Sequence, residues 1–347
     1  MSTAIDSLRG ILNGFRDLNS KGIYTMNATE TDLLRQILIE VQALSLGGIP
    51  ADNSVTTAKI VDDNVTKAKL SSAFKQSLFN QNLFKNPAFS VIQGAASGTI
   101  SNSLAVPTAS LGYAGETEWI TAASGGTPAY AFSAVDQSAT FTGASGVTAI
   151  HFAQRLESRD ANLIKNKTVT FSCEVSNSLL TSVIWEVFRP TTSDDVHGTI
   201  ATPTQTLIAS GTFTVTSTLT RYSATFALPD LASRGLEVRL RVGAQTSGTW
   251  VIARPQLEEG SIATTFNCGN FSEESFRCRR YYLSTNMLVG AIAFQVSTYT
   301  FPSLMFATPV RTGGGAGYAV QLLDNFGISH AQTTQATQAM TFSAHIP

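Results

Sequence analysis

The chain has 347 residues, enough for about two domains and a sizeable core. Its 23 Lys and Arg nearly balance its 24 Asp and Glu, and with no Lys/Arg block neither nucleic acid nor an anionic membrane is indicated as a partner. Charged residues make up only 14% against about 25% in ordinary soluble domains, so Ser, Thr, Asn and Gln must solvate a surface better suited to neutral sugars.

At the N-terminus there is no basic region followed by an apolar run, and nowhere do 18 apolar residues follow one another, which predicts cytosolic synthesis and no membrane insertion. Ile5, Leu8, Ile11, Leu12 and Phe15 recur at three and four, predicting an amphipathic helix within residues 1–24 that ends near Asn19 to Gly22. A second helix is predicted within 25–47, with a capping box from Thr29 and Asp32 or from Asn27 and Glu30. Its stripe, Leu34, Ile37, Val41 and Leu44, is spaced three, four, three, the seam of a short coiled coil. A helix this short is marginal alone in water, so this stripe must pack against other copies or against its own chain. Gly47, Gly48 and Pro50 end it.

Residues 48–78 contain a ten-residue unit used twice: Asp52 to Ile60 matches Asp62 to Leu70 at Asp52/Asp62, Val55/Val65, Thr56/Thr66, Ala58/Ala68, Lys59/Lys69 and Ile60/Leu70. Two such steps cannot bury Val55, Ile60, Val65 and Leu70 within one chain, because a repeat unit needs stacked neighbours to make a core. The alternatives are a fibrous shaft built from several copies, with these four residues on its axis, and a flexible surface linker.

From 79 to 268 the pattern changes to short alternating runs separated by Gly and Ser/Thr turns: Thr148 to Phe152, Thr168 to Val175, Ser182 to Phe188, Gly211 to Val215, Arg221 to Leu228, Glu237 to Val242 and Thr249 to Arg254. Regular short strands of this kind predict a β-sandwich or jelly roll. Residues 269–347 form a further β piece, with strands at Ala293 to Thr300 and at Met340 to Ile346 and a loop at Gly313 to Gly317. The fold class is therefore mainly β, with short N-terminal helices, a decad-repeat shaft, a jelly roll and a small C-terminal β domain.

Several motifs carry a resemblance. The tandem Asp-x-Ser/Asn-Val-Thr-x-Ala-Lys-Ile/Leu unit resembles the shaft repeats of bacteriophage tail fibres and related receptor-binding virion proteins. The stretches Asn82 to Phe89, Gly115 to Trp119 and Ala253 to Phe266 look like the jelly-roll domain of those fibres, itself similar to carbohydrate-binding modules of bacterial glycosidases; Ser272 to Tyr282 is another segment characteristic of them. The resemblance implies a homotrimer in the virion tail, held to a tail or baseplate protein by its N-terminal helices and meeting a host surface polysaccharide with its β domains. It also raises a structural calcium ion, since Glu258 and Glu259 stand in the closing motif; Ser90, however, follows Asn-Pro-Ala-Phe where related modules commonly have Glu. No other cofactor is implied.

Sugar recognition sets an aromatic face against the pyranose ring, with polar groups fixing its hydroxyls. Tyr113, Trp119 and Tyr130 flank Gly/Ser/Thr-rich turns and form the candidate platform, although Trp119 fits a core position equally well, as do Trp185 and Trp250. Tyr299, Tyr318, Asn325 and His330 lie in or beside predicted loops of the C-terminal piece, where a receptor would be met. A glycosidase needs two carboxylates about 5–10 Å apart, one with a raised pKa. Glu174, Glu186, Asp194, Asp195 and Glu237 are scattered, so no catalysis is expected; a structural tail component without receptor binding, and less favourably a glycan depolymerase, are the competing functions. His151, His197, His330 and His345 show no metal spacing. Cys173, Cys268 and Cys278 are expected reduced, with Cys173 in a buried strand; a Cys268–Cys278 bridge is the alternative.

Overall fold

The computed structural model describes residues 81–107, 112–289, 295–300, 305, 310–313, 318–323, 327–332 and 336–343, together with Gln36 and part of 10–22; of the side chains beyond 283, it describes those of Met305, Phe342 and Ser343. The chain divides into two compact units, Met1–Leu70 and Ser71–Pro347. In the first, Gly10, Ile11, Asn13, Gly14, Asp17, Ser20 and Gln36 are helical, and the first helix ends in a turn at Lys21 and Gly22, where the sequence placed it. Leu34, Ile37, Val41, Leu44, Val55, Ile60, Val65 and Leu70 all lie outside the described residues.

The second unit is built on two antiparallel sheets. The strands are β1 (Ser97–Thr99), β2 (Ile120–Ser124), β3 (Ala129–Ser133), β4 (Ser138–Thr142), β5 (Ala149–Leu156), β6 (Thr168–Asn177), β7 (Ser182–Pro190), β8 (Gln205–Thr214), β9 (Thr220–Ala227), β10 (Leu236–Val242) and β11 (Thr249–Glu259). One sheet runs β1-β3-β4-β11-β6-β9 and the other β2-β5-β10-β7-β8. Strands β4 to β11 thus form four-stranded layers β4-β11-β6-β9 and β5-β10-β7-β8, the double Greek-key order of a jelly roll. A short helix α1 (Ser158–Ala161) follows β5, and a longer one, α2 (Phe271–Cys278), leaves the sandwich.

Period-two alternation makes the core. Val169, Phe171, Cys173 and Val175 of β6 face Ile150, Phe152 and Leu156 of β5 and Leu236, Val238, Leu240 and Val242 of β10 in one buried cluster. Aromatic rings fill one end of it: Trp119 stacks on Phe152 with centroids 4.7 Å apart, and Phe84 and Phe89 tilt against the same indole at 5.2 and 5.6 Å. Trp250 is fully buried and Trp185 packs partly buried on this cluster, both as expected of core positions.

Two of the three jelly-roll motifs, Asn82 to Phe89 and Ala253 to Phe266, are hydrogen-bonded to each other. The register of β11 slips at Arg254-Pro255, a bulge in which Arg254 is left-handed (φ 49) and proline's missing donor is tolerated. The extra residue returns Leu257 to the core while Gln256 and Glu258 face the other way, and the Asn82 side chain seals the site. Its amide donates to the carbonyls of Pro255 and Asn267, and its oxygen accepts from the backbone of Phe84 and Leu257.

Beyond α2, strands β12 (Tyr282–Val289), β14 (Val310–Gly313) and β17 (Ala336–Ser343) pair in the order β12-β17-β14, and β13 (Gln295–Thr300), β15 (Tyr318–Leu323) and β16 (Gly327–Gln332) in the order β13-β16-β15. Asn270 caps α2 by accepting from Ser272 N at 2.9 Å. Buried Glu274 of α2 accepts from the Asn86 backbone N–H at 2.6 Å. All three cysteines are free, Cys173 and Cys278 buried and Cys268 exposed, so the Cys268–Cys278 alternative is corrected. Among the described residues no helix is long and apolar enough to cross a membrane.

Candidate functional site

Strands β1 and β2 are the edges of their sheets, on opposite layers of the sandwich, and a cavity opens beside them. It measures about 440 Å³ and is lined by Thr99, Ser101, Ser103, Val106, Tyr113, Glu116, Thr121 and Tyr130, with backbone from Gly94, Gly112 and Gly115. Tyr113 and Tyr130, two of the aromatic residues singled out by their flanking turns, come together here from separate segments.

Each wall has a local cause. Tyr130 lies opposite Gly98 in the β1–β3 pair, and a Cβ at Gly98 would sit 3.0 Å from the tyrosine ring, so the glycine gives the ring room to lie against β1. Phe132, two residues on along the same face of β3, packs beside the ring with centroids 5.3 Å apart. Tyr113 bridges Ile120 and packs with Ile120 and Ala153 on the outer face of the second sheet; burial pushes its phenol pKa up, with Glu118 and Glu237 adding to the effect and Arg155 opposing it. The segment 101–106 is held by bridges from Asn102 and Ser103 to Ala123, and by backbone donors Ile200 and Ala201 to the carbonyls of Val106 and Leu104.

The rim is strained. Gly115, Glu116 and Glu118 all have positive φ (59, 52 and 71°), and the two glutamates carry a cost of order 1 kcal/mol each for a conformation that glycine adopts freely. Gly115 cannot be replaced cheaply, since a Cβ there would stand 2.8 Å from the Ala95 carbonyl. Thr117 steadies the turn by donating from its hydroxyl to Ala114 O at 2.8 Å.

Trp119 is corrected as a platform residue. It is 3% exposed, stacked in the core, and donates its indole N–H to Asn86 O at 3.1 Å, so it offers no face to a ligand. His330 is corrected as a loop residue. It stands in β16, the central strand of its sheet, opposite Ser297 and Val320. Tyr318 opens β15 and Tyr299 stands one residue from the end of β13, while Asn325 lies outside the described residues. Sequence reasoning missed the hydroxyl lining, Thr99, Ser101, Ser103 and Thr121, because only the pairing order brings these edges together.

The outer face of the second sheet is closed by ion pairs. Glu237 accepts from Arg155 Nε at 2.7 Å, Arg239 Nε at 2.8 Å and Gln205 Nε2 at 2.7 Å. Burial pushes its carboxyl up, but Arg155 and Arg239 outweigh that and hold it well below the usual range, so it stays ionised. Glu186 pairs with Arg241, Glu174 with Arg254, and Asp195 accepts from Ser158. At the closing motif Glu258 accepts from Thr264 and Gln256, and Glu259 pairs with Lys167. Among the described residues no group of three His, Cys, Asp or Glu is arranged to hold a metal ion.

No protein-family model matches the chain, and no curated protein matches it. Solved structures with similarity over part of the chain include a structure described as "CBM4 structure and function", at 17% identity and TM-score 0.32, covering 49% of this chain and 100% of that one. The enzymatically active domain of tailspike protein 4 from bacteriophage CBA120 matches at 11% identity and TM-score 0.30, over 52% of this chain and 21% of its own. The CBM22-1 xylan-binding domain from Paenibacillus barcinonensis matches at 9% identity and TM-score 0.28, over 53% of this chain and 97% of its own. The jelly roll is established by the strand order itself.

Proposed function

We propose that the chain is an adhesin of a phage tail fibre, a receptor-binding protein that holds a host surface glycan without breaking any bond. The observation that carries this reading is the cavity beside β1 and β2, where two tyrosines from separate segments meet four hydroxyl side chains. Its volume lies in the range of small-ligand sites, roughly 300–1,000 Å³. Among its lining residues Glu116 is the sole ionisable group besides the tyrosines, so the site suits an uncharged sugar, with a ring face against Tyr130 and hydroxyls meeting Thr99, Ser101, Ser103 and Thr121.

The tail-fibre assignment is supported by the decad repeat and by the motifs at Asn82 to Phe89 and Ala253 to Phe266, which form a single hydrogen-bonded junction. In this reading the helical segment and repeat join three copies, a tail or baseplate protein holds the N-terminal end, and three weak sites on one axis gain avidity when they engage together. The test is binding of the full chain to a panel of neutral bacterial surface polysaccharides, read by calorimetry, beside Tyr130→Ala. The expected result is binding that weakens about tenfold in the variant, equivalent to ~1.4 kcal/mol. Binding of no polysaccharide, with the chain nonetheless assembled into virions, would favour the purely structural role. A monomer by light scattering at micromolar concentration would remove the trimer.

A further inference from the structure

A second cavity, of about 170 Å³, lies where α1 and α2 approach the opening motif. Four cationic side chains line it, Lys85, Arg159, Arg277 and Arg280, against one carboxylate, Asp160. Three further carboxylates stand close by: Glu157 accepts from Arg280 at 2.8 and 3.0 Å and from the Tyr281 hydroxyl, Glu274 accepts from Arg277, and buried Glu118 attracts the Lys85 ammonium, so formal charge is balanced here and what the cavity leaves over is the unmet donors of Lys85.

Lys85 is the unusual member. The Gln154 side chain clamps its backbone from both sides, accepting from Lys85 N and donating to Lys85 O, each at 2.7 Å. The clamp sends the side chain inward, where it is 4% exposed. Its ammonium stands 3.9 Å from Asp160, too far for a hydrogen bond, and 4.6 Å from the centroid of the Tyr281 ring. The buried nitrogen has no hydrogen-bond partner. A buried ammonium with its donors unmade costs several kcal/mol, and burial accordingly lowers the Lys85 pKa despite Glu157 and Asp160. An oxyanion in the adjoining space would satisfy those donors and meet the guanidinium rim.

We propose that this cavity binds a single anionic group, a carboxylate, sulfate or phosphate, between Lys85, Arg159 and Arg277. The group comes either as a free ion or as the acidic substituent of a polysaccharide, and in the second case one chain reads two chemistries, a neutral ring beside β1 and β2 and an acidic group here. The site stands independently of the tyrosine cavity.

The test uses the full chain with inorganic phosphate, inorganic sulfate and an oligogalacturonate, each titrated by calorimetry. Two variants accompany it, Lys85→Met, which keeps the apolar stem, and Arg159→Ala, whose side chain is 70% exposed and safe to truncate. A charge-assisted hydrogen bond contributes ~1.5–3 kcal/mol, so each variant should weaken binding about tenfold or more. Phosphate or sulfate binding lost in both variants supports a free-ion site. Oligogalacturonate binding lost in both, without binding of the inorganic ions, supports the polysaccharide source. Should no probe bind saturably, or should binding be unchanged in Arg159→Ala and in a folded Lys85→Met, the proposal is overturned.

Discussion

Acid should destabilise this protein earlier than its carboxylates would predict, through two buried imidazoles. His197 is fully buried and His151 is 8% exposed. Burial, with Arg155 near His197 and with Arg239 and Arg241 near His151, lowers their pKa values to about 3 and about 4 from an ordinary 6.5. Both rings are neutral in the native state, and the unfolded chain takes up the protons they refuse. The stability they contribute is complete above pH 6.5 and is lost as pH falls from there through about 4 and about 3. Each pH unit between the two states is worth about 1.4 kcal/mol. The pair therefore removes several kcal/mol by about pH 4, a large part of the ~5–15 kcal/mol a folded domain typically holds. Glu237, held well below the usual carboxylate range, adds its loss at still lower pH. The assay is the urea midpoint of unfolding between about pH 7 and about pH 5, where ordinary carboxylates remain ionised. His197→Gln should flatten that slope. In the native protein Gln205 Nε2 donates to His197 Nδ1 at 3.1 Å, so NMR should find the Nε2–H tautomer. An imidazole of either residue titrating near 6.5, or midpoints that do not move across that range, would refute the reasoning.

Three further outcomes follow from particular contacts. Trp119→Phe removes the indole bond to Asn86 O and leaves a gap against Phe152, so unfolding should become easier by ~2–3 kcal/mol while glycan binding is unchanged; the reverse pattern in calorimetry and urea titration would put the ring in the site. Gly98→Ala forces the Tyr130 ring to give by a few tenths of an ångström, and should weaken polysaccharide binding at a cost of no more than ~1–3 kcal/mol in stability; unaltered affinity would take that ring out of the recognition surface. Glu157→Gln leaves Arg280 and the Tyr281 hydroxyl without their buried anion, and should lower stability by ~3 kcal/mol and expose the chain after Cys278 to limited proteolysis; an unchanged cleavage pattern would show that this pairing does not hold the junction.

Strands β5 to β7 and β9 to β11 are legible because large apolar residues alternate in them, as in Val169, Phe171, Cys173 and Val175, whereas of β8 (Gln205–Thr214) only the end from Gly211 stands out. The earlier strands are not legible. Ile120 to Ser124 and Ser138 to Thr142 consist mostly of Ala, Ser and Thr, which leave little amplitude at period two, yet Ala123 and Ala139 are fully buried because aromatic neighbours fill the space they leave. Helix α2 has visible cues in Asn270, Glu273 and Glu274, a cap and an acidic first turn, but its eight residues are too few for an apolar period to show. His330, placed in or beside a loop by the sequence, stands inside β16, which begins at Gly327. Lys85 gave no signal at all. Its isolation depends on Gln154, 69 residues away, and on an aromatic ring 196 residues away.

The turn from Tyr113 to Trp119 explains why the cavity and the core share one short stretch. Edge strands such as β1 and β2 present unpaired backbone groups, and proteins usually shorten or cover them. Here β1 has three residues, and Asn102 and Ser103 bridge to Ala123 along the edge of β2. Covering alone would require no left-handed glutamates. Gly115, Glu116 and Glu118 take positive φ in this turn, where Tyr113 and Glu116 line the cavity while Thr117 and Trp119 are buried. The stacking of Trp119 on Phe152, with centroids 4.7 Å apart, anchors the inner side of that turn. The core thus holds in place a strained turn that supplies Tyr113, Ala114, Gly115 and Glu116 to one wall of the cavity, and the proposed glycan site would draw its preorganisation from that turn.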